Sequence, residues 1–182
     1  MYRKIMVPVD GSETSLSGVQ EAIKIAQNLG SEIRVFHVLD EFVLDYSLGA
    51  GVYGGNLMDA LRDGGKKILE QAAAAVRKEG VAVSTALLES IGGPAADFIV
   101  AQAKEWGADL IVMGTHGRRG LARLAMGSDA EGVVREASVP VLLVHHQRKQ
   151  AKQESRAAEV KPSGSSAADE AYSFVSRGIN PF

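Results

Sequence analysis

The sequence predicts an α/β protein: an open five-stranded parallel sheet with helices on both faces. Three observations lead there. Five short apolar runs alternate with four longer stretches of helical periodicity, and strands joined by helical crossovers run parallel with their helices packed on the sheet. Most of the runs are continuously apolar rather than alternating, as in strands covered on both faces. The helical stretches stop at Gly30, Gly80 and Gly107, and glycine is the natural residue just past a helix end.

The elements follow in order. Residues 3–9 (RKIMVPV) read as a buried strand, and Asp10-Gly11-Ser12 as a turn with helix-capping chemistry. The first helix places Leu16, Val19, Ile23, Ala26 and Leu29 on one face. Residues 32–38 (EIRVFHV) are rich in strand formers. A loop from Leu39 to Asn56 leads to a helix over 57–79, striped by Leu57, Leu61, Ile68, Ala72 and Val76. Gly64-Gly65 inside it costs about 1 kcal/mol per residue against Ala, which predicts a kink or close packing there. Residues 81–88 alternate more and suit an edge strand. Gly92-Gly93-Pro94 starts a helix with Pro in its first turn, its apolar face Ala95, Phe98, Ile99, Ala103 and Trp106. A fourth strand covers 108–113. A last helix starts at Ser128, and Val139 to His145 forms a fifth strand, with Pro140 suiting a sheet edge.

Between the fourth strand and the last helix lies the most informative stretch, Met113 to Ala130 (MGTHGRRGLARLAMGSDA). It carries Gly114, Gly117, Gly120 and Gly127 with Arg118, Arg119 and Arg123. Most strand-to-helix loops run about 2–6 residues, and longer ones usually have a function. Glycines let backbone N–H groups approach an anion, and a helix N-terminus favours negative charge. In parallel sheets the ligand sits at the carboxyl ends of the strands, where this loop begins. The combination predicts a phosphate-type ligand.

Composition narrows the function. A chain of 182 residues with a net charge of −2 is a poor fit to a dedicated nucleic-acid binder. The body is mildly acidic, which makes the arginines of the loop a local exception. Zero cysteines exclude a disulfide framework and a thiolate metal site. No segment reaches the roughly 18 apolar residues of a membrane span, and the N-terminal apolar run is too short for a signal-peptide core. A cytoplasmic location is expected. The domain is placed at 1–146. From Gln147 to Phe182 periodicity stops; Gln150 to Val160 suits at most a nascent helix, and Pro162 to Ser166 is linker chemistry, which predicts a largely flexible tail.

Several motifs have simpler readings beside the functional one. Gly49 to Gly54 fits G-x-G-x-x-G but does not follow directly on a strand, so it is taken as a chance match. Ser128-x-x-Glu131 fits a capping box, and the same hydroxyl also suits a phosphate. Asp10 is either a turn residue or a carboxylate accepting from a ribose hydroxyl. His116 either touches a phosphate or is a solvated loop residue. Adjacent His145 and His146 point to opposite faces, which disfavours a two-histidine metal grip. No catalytic constellation has a recognisable spacing, so no catalytic residue is assigned.

Taken together these residues resemble the universal stress protein (UspA-like) family. The decisive match is G-x2-G-x9-G-[S/T] at Gly114, Gly117, Gly127 and Ser128. Ile5 to Ser12 (IMVPVDGS), Ala108 to Arg118 (ADLIVMGTHGR) and Val139 to Val144 (VPVLLV) support it. The resemblance covers residues 1–146. It implies a Rossmann-like sheet of order 3-2-1-4-5, of the adenine nucleotide alpha hydrolase-like type, and an ATP site. By similarity Pro8, Val9 and Val38 line the adenine pocket and Asp10 binds the ribose. Gly114, Gly117, Arg118, Gly127, Ser128 and the backbone of Asp129 and Ala130 hold the phosphates, and Met113 and His116 are counted with them among the nucleotide-binding residues. Two positions depart from the family pattern: Asp129 is often apolar and Ala130 often Ser or Thr. An acid there repels phosphate unless Mg²⁺ intervenes, which shifts the expectation toward AMP or ADP. The family also implies a homodimer through the last strand, Val139 to His145.

The functional expectation is a stress-response or regulatory protein that senses adenine nucleotide through conformation or dimer assembly. Two alternatives stand beside it: a slow ATPase or nucleotidyl-transfer enzyme using His116 or Asp129, and an interaction module that works through the last strand and tail without nucleotide.

Overall fold

The strands of the computed structural model line up in the order β3-β2-β1-β4-β5, all parallel. The structure describes residues 1–40, 54–90, 92–117 and 126–146; of 40 and 54–57 only the backbone is described. The predicted tail, Gln147 to Phe182, lies outside them, as does most of the Gly49–Gly54 motif, and the compact unit runs Met1–His146. In chain order the described elements are β1 (Lys4–Pro8), α1 (Glu13–Leu29), β2 (Glu32–Asp40), α2 (Gly54–Lys78), β3 (Val83–Ser90), α3 (Ala95–Trp106), β4 (Leu110–Gly114), α4 (Ser128–Glu136) and β5 (Val141–Val144).

Two cores sandwich the sheet, and side-chain alternation sorts residues between them. Ile5, Val7, Ile33, Val35, Leu110 and Val112 pack against α1 and α2 with Val19, Ile23, Leu69 and Val76. Met6, Phe36, Ile111 and Met113 face the other way, toward Ile99 and Ala103 of α3 and Val133 of α4. β1 and β4 are buried on both faces, which is why their sequences are continuously apolar. β3 and β5 are the edges, as the alternation of β3 and Pro140 near the start of β5 predict. Pro140 ends up just ahead of β5, its carbonyl accepting from Ile111 N–H at 3.0 Å.

Three local expectations need correction. Leu16 is exposed rather than on the inner face of α1; the buried residues there are Ser15, Gly18, Val19 and Ala22. The reason is how closely α1 lies on β4: a β-carbon on Gly18 would stand 3.4 Å from the Met113 carbonyl carbon, so small residues set the contact line. Pro94 is the N-cap of α3, not part of its first turn. The capping box at Ser128 is absent: Gly127 is the N-cap, without a side-chain bond, and Ser128 is the first residue of α4.

Glycine also decides where helices meet. Gly64 has nothing near its missing side chain, whereas a β-carbon on Gly65 would lie 3.0 Å from His37 Cδ2 and 3.1 Å from Leu87 Cδ1. Of the two outcomes expected for this pair, close packing is the one observed, and α2 continues through it. Gly132 likewise lets α4 rest on α3, since its β-carbon would be 2.7 Å from that of Ala96.

Candidate functional site

The carboxyl edge of the sheet opens between β1 and β4, and the hydrogen bonds show why. The β1–β4 register ends at Met6↔Ile111. Beyond it β1 stays with β2: Pro8 pairs with Phe36, and Val9 N–H donates to Phe36 C=O at 2.8 Å. β4 stays with β5: Gly114 pairs with Val144, and Thr115 N–H donates to Val144 C=O at 3.0 Å. The two central strands therefore part where the strand order reverses, the position at which open α/β sheets bind ligands.

Asp10 stands on one lip. Its Oδ1 accepts from Ser12 N–H at 3.0 Å and from the Ser12 hydroxyl at 2.6 Å. Ser12 in turn caps α1, its Oγ accepting from Ser15 N–H at 3.1 Å. The turn reading of Asp10 is thus correct for one carboxylate oxygen. The other faces the opposite lip: a β-carbon on Gly117 would lie 2.7 Å from Asp10 Oδ2.

The glycine loop forms that opposite lip. Gly114 ends β4 directly over α1, where a β-carbon would come within 3.0 Å of the Thr14 backbone. Gly127 N–H donates to Thr115 C=O at 3.0 Å, and a β-carbon on Gly127 would lie 3.5 Å from His116 Cα. The loop therefore closes on itself, its start at 115–117 against its end at 127. From there α4 begins; its backbone ladder starts with Glu131 N–H to Gly127 C=O, so the N–H groups of Ser128, Asp129 and Ala130 precede it. Arg118, with Arg119 and Arg123, lies outside the described residues.

The remaining sequence candidates divide by face. Val9 is buried on the α1–α2 side, while Met113 is buried on the α3–α4 side, with Val38 packed partly against the same core. Val9 and Val38 side chains leave the sheet on opposite faces; what these strand ends offer jointly is backbone at the edge. The Ala130 methyl is buried beside Ile99 and Val133, so this residue brings only its backbone to the helix start. Ser128 and Asp129 are exposed.

His116 is neither purely solvated nor isolated. Its Nδ1 lies 3.0 Å from the Thr115 hydroxyl, which also meets His145 Nδ1 at 3.0 Å. The two rings are 6.1 Å apart. His146 turns the other way, to Ser17 Oγ at 3.0 Å and Glu13 at 3.4 Å, as alternation predicts. Sequence reasoning missed Ser12, Thr14, Gly18, Thr115 and His37 as parts of this region. Ser12 had a signal in the Asp-Gly-Ser turn; Thr14, Gly18 and His37 act on residues distant in sequence, and Thr115 joins the adjacent His116 to the distant His145.

Fold and crevice together define an α/β protein of the Rossmann-like type, with a glycine loop at its switch point. The chain belongs to the universal stress protein family, whose profile matches residues 1–145. A universal stress protein of Methanocaldococcus jannaschii is 36% identical over 152 residues, covering 82% of this chain and 86% of the relative. One from Bacillus subtilis is 31% identical, covering 79% and 99%. Among solved structures, a universal stress protein of Archaeoglobus fulgidus in complex with dAMP superposes with a TM-score of 0.56 at 28% identity, covering 79% of this chain and 98% of that one. A universal stress protein solved in complex with cAMP gives 0.57 at 26% identity, covering 79% of this chain and 97% of that one.

Proposed function

We propose that this protein binds an adenine nucleotide in the crevice between β1 and β4 and reports its level through conformation or dimer assembly. One observation carries the reading: a carboxylate on one lip and a glycine loop with a helix start on the other, brought close where Gly117 has no side chain, since a β-carbon there would lie 2.7 Å from Asp10 Oδ2. A carboxylate suits ribose hydroxyls. Glycine backbone and a helix N-terminus suit phosphates. Two relatives solved with cAMP and dAMP agree with that choice of ligand.

In this reading Pro8, Val9 and Val38 border the base and Asp10 holds the ribose. Met113, Gly114, His116, Gly117, Arg118, Gly127, Ser128, Asp129 and Ala130 surround the phosphates, and Mg²⁺ arrives with ATP rather than on a protein ligand set. The nucleotide-binding domain is taken to end near residue 146. Assembly runs through β5, an edge strand with an exposed Leu142 (36%).

Calorimetry with ATP, ADP and AMP tests the reading, using wild type and Gly127→Val. Saturable binding that the variant abolishes while keeping its circular dichroism supports it; no binding of any of the three by wild type rejects it. Sedimentation with and without nucleotide tests the assembly, with Leu142→Glu expected to shift the protein toward monomer.

A further inference from the structure

His37 is buried (4%) on the α1–α2 side of β2, where its neighbours in the strand pattern are Ile33 and Val35. Its Nδ1 lies 2.6 Å from Val9 C=O. A carbonyl oxygen only accepts, so Nδ1 carries the proton and donates. That carbonyl belongs to the peptide plane joining Val9 to Asp10. At the other side of the same plane, Asp10 N–H points at Ser15 Oγ, 3.5 Å away. Val9 N–H is fixed on Phe36 C=O. The peptide that delivers Asp10 to the crevice is thus held by His37 on its oxygen, just where β1 has run out of regular ladder.

The ring is accommodated at a visible cost. Gly65 faces it from the middle of α2, and any β-carbon there would be 3.0 Å from His37 Cδ2. A glycine in a helix interior is unfavourable, and so is an imidazole in a core that a Leu would fill. One explanation covers both departures: this site needs a donor under the Val9 carbonyl.

We infer that His37 is a positioning residue of the nucleotide site, orienting the Val9–Asp10 peptide so that the Asp10 carboxylate meets the ribose hydroxyls. The inference rests on the nucleotide reading above. His37 touches no ligand itself; it acts through Asp10.

The test compares ATP with 2′,3′-dideoxy-ATP, which lacks the hydroxyls Asp10 would accept from. Both are titrated against wild type, Asp10→Ala, His37→Leu, His37→Asn and Gly65→Ala. Wild type should prefer ATP by about tenfold or more, the range for hydrogen bonds to a charged group. Asp10→Ala should erase the preference. His37→Leu should reduce it to within about twofold of the Asp10→Ala value, while His37→Asn, which keeps a short N–H donor, retains most of it. Gly65→Ala, which presses on the ring without removing the donor, should lower it in part and serves if His37→Leu does not fold. A uniform loss for both nucleotides, with the ratio intact in His37→Leu or in Gly65→Ala, would reduce His37 to a packing residue and overturn the inference alone. Wild type that binds neither nucleotide overturns the site reading itself.

Discussion

Asp10 and Gly117 meet across the crevice: a β-carbon on Gly117 would lie 2.7 Å from Asp10 Oδ2, closer than side-chain carbons approach an oxygen. Gly117 does not take a positive φ, so backbone strain does not explain the glycine. The requirement is space beside a carboxylate. Gly117→Ala should therefore leave thermal stability nearly unchanged and weaken ATP binding about tenfold, or ~1.4 kcal/mol. Calorimetry and a melting curve on the same sample separate the two. An unchanged Kd would mean that Asp10 swings aside freely or does not meet the ligand.

The two central glycines of α2 should respond oppositely to the same change. Gly64→Ala gains helix propensity of up to about 1 kcal/mol and meets nothing, so its melting temperature should rise. Gly65→Ala gains the same propensity but crowds His37, Leu39 and Leu87. Its net stability should be no higher than wild type. Equal rises for both variants would contradict the packing described for α2.

Asp129 stands in the first turn of α4, where a negative side chain favours the helix but opposes a phosphate. Asp129→Asn should tighten ATP in the presence of EDTA by about fivefold, the value of one charge pair near 4 Å in water. With Mg²⁺ the gap should close. A gap of the same size with and without the metal would show that charge repulsion is not the cause.

Arg62 grips Glu89 with two hydrogen bonds, at 2.7 and 2.8 Å, tying α2 to the end of β3. The guanidinium hydrogen bond holds the Glu89 carboxyl below its ordinary value against a smaller opposing effect of burial, and Glu89 holds Arg62 above its own. A carboxyl lowered in the folded state contributes stability above the ordinary carboxylate range and loses it as pH falls through the folded value. Arginine stays charged throughout. Glu89→Gln should melt slightly below wild type at pH 7, with the difference vanishing in acid and shrinking in 1 M salt. A difference that persists in acid would point to packing rather than charge.

Much of the fold was legible because its determinants act over a few residues. The apolar runs of β1 and β4, the Gly30 and Gly107 stops and the turn at Asp10-Gly11-Ser12 are each written in a short stretch of chain. Boundaries slipped where the local signal was ambiguous: β2 runs on to Asp40, and α2 starts at Gly54. Leu16 was misplaced because periodicity finds an apolar stripe without knowing how near the neighbouring backbone will be. Gly18, not Leu16, marks the line where α1 lies on β4.

The site divides the same way. The sequence by itself determined that a glycine-spaced loop, Gly114 to Ser128, would stand at the carboxyl end of a buried strand with a helix after it. Tertiary structure decided what that loop faces. Asp10 reaches Gly117 only because β1 and β4 are neighbours that part beyond Met6 and Ile111. His37 reaches Val9 only because β2 carries the register on past the end of β1. Propensity, capping and turn chemistry are local energies and can be read along the chain. Contacts between residues far apart depend on strand order, register and side-chain facing, which are settled only when the sheet is assembled and its two cores are filled.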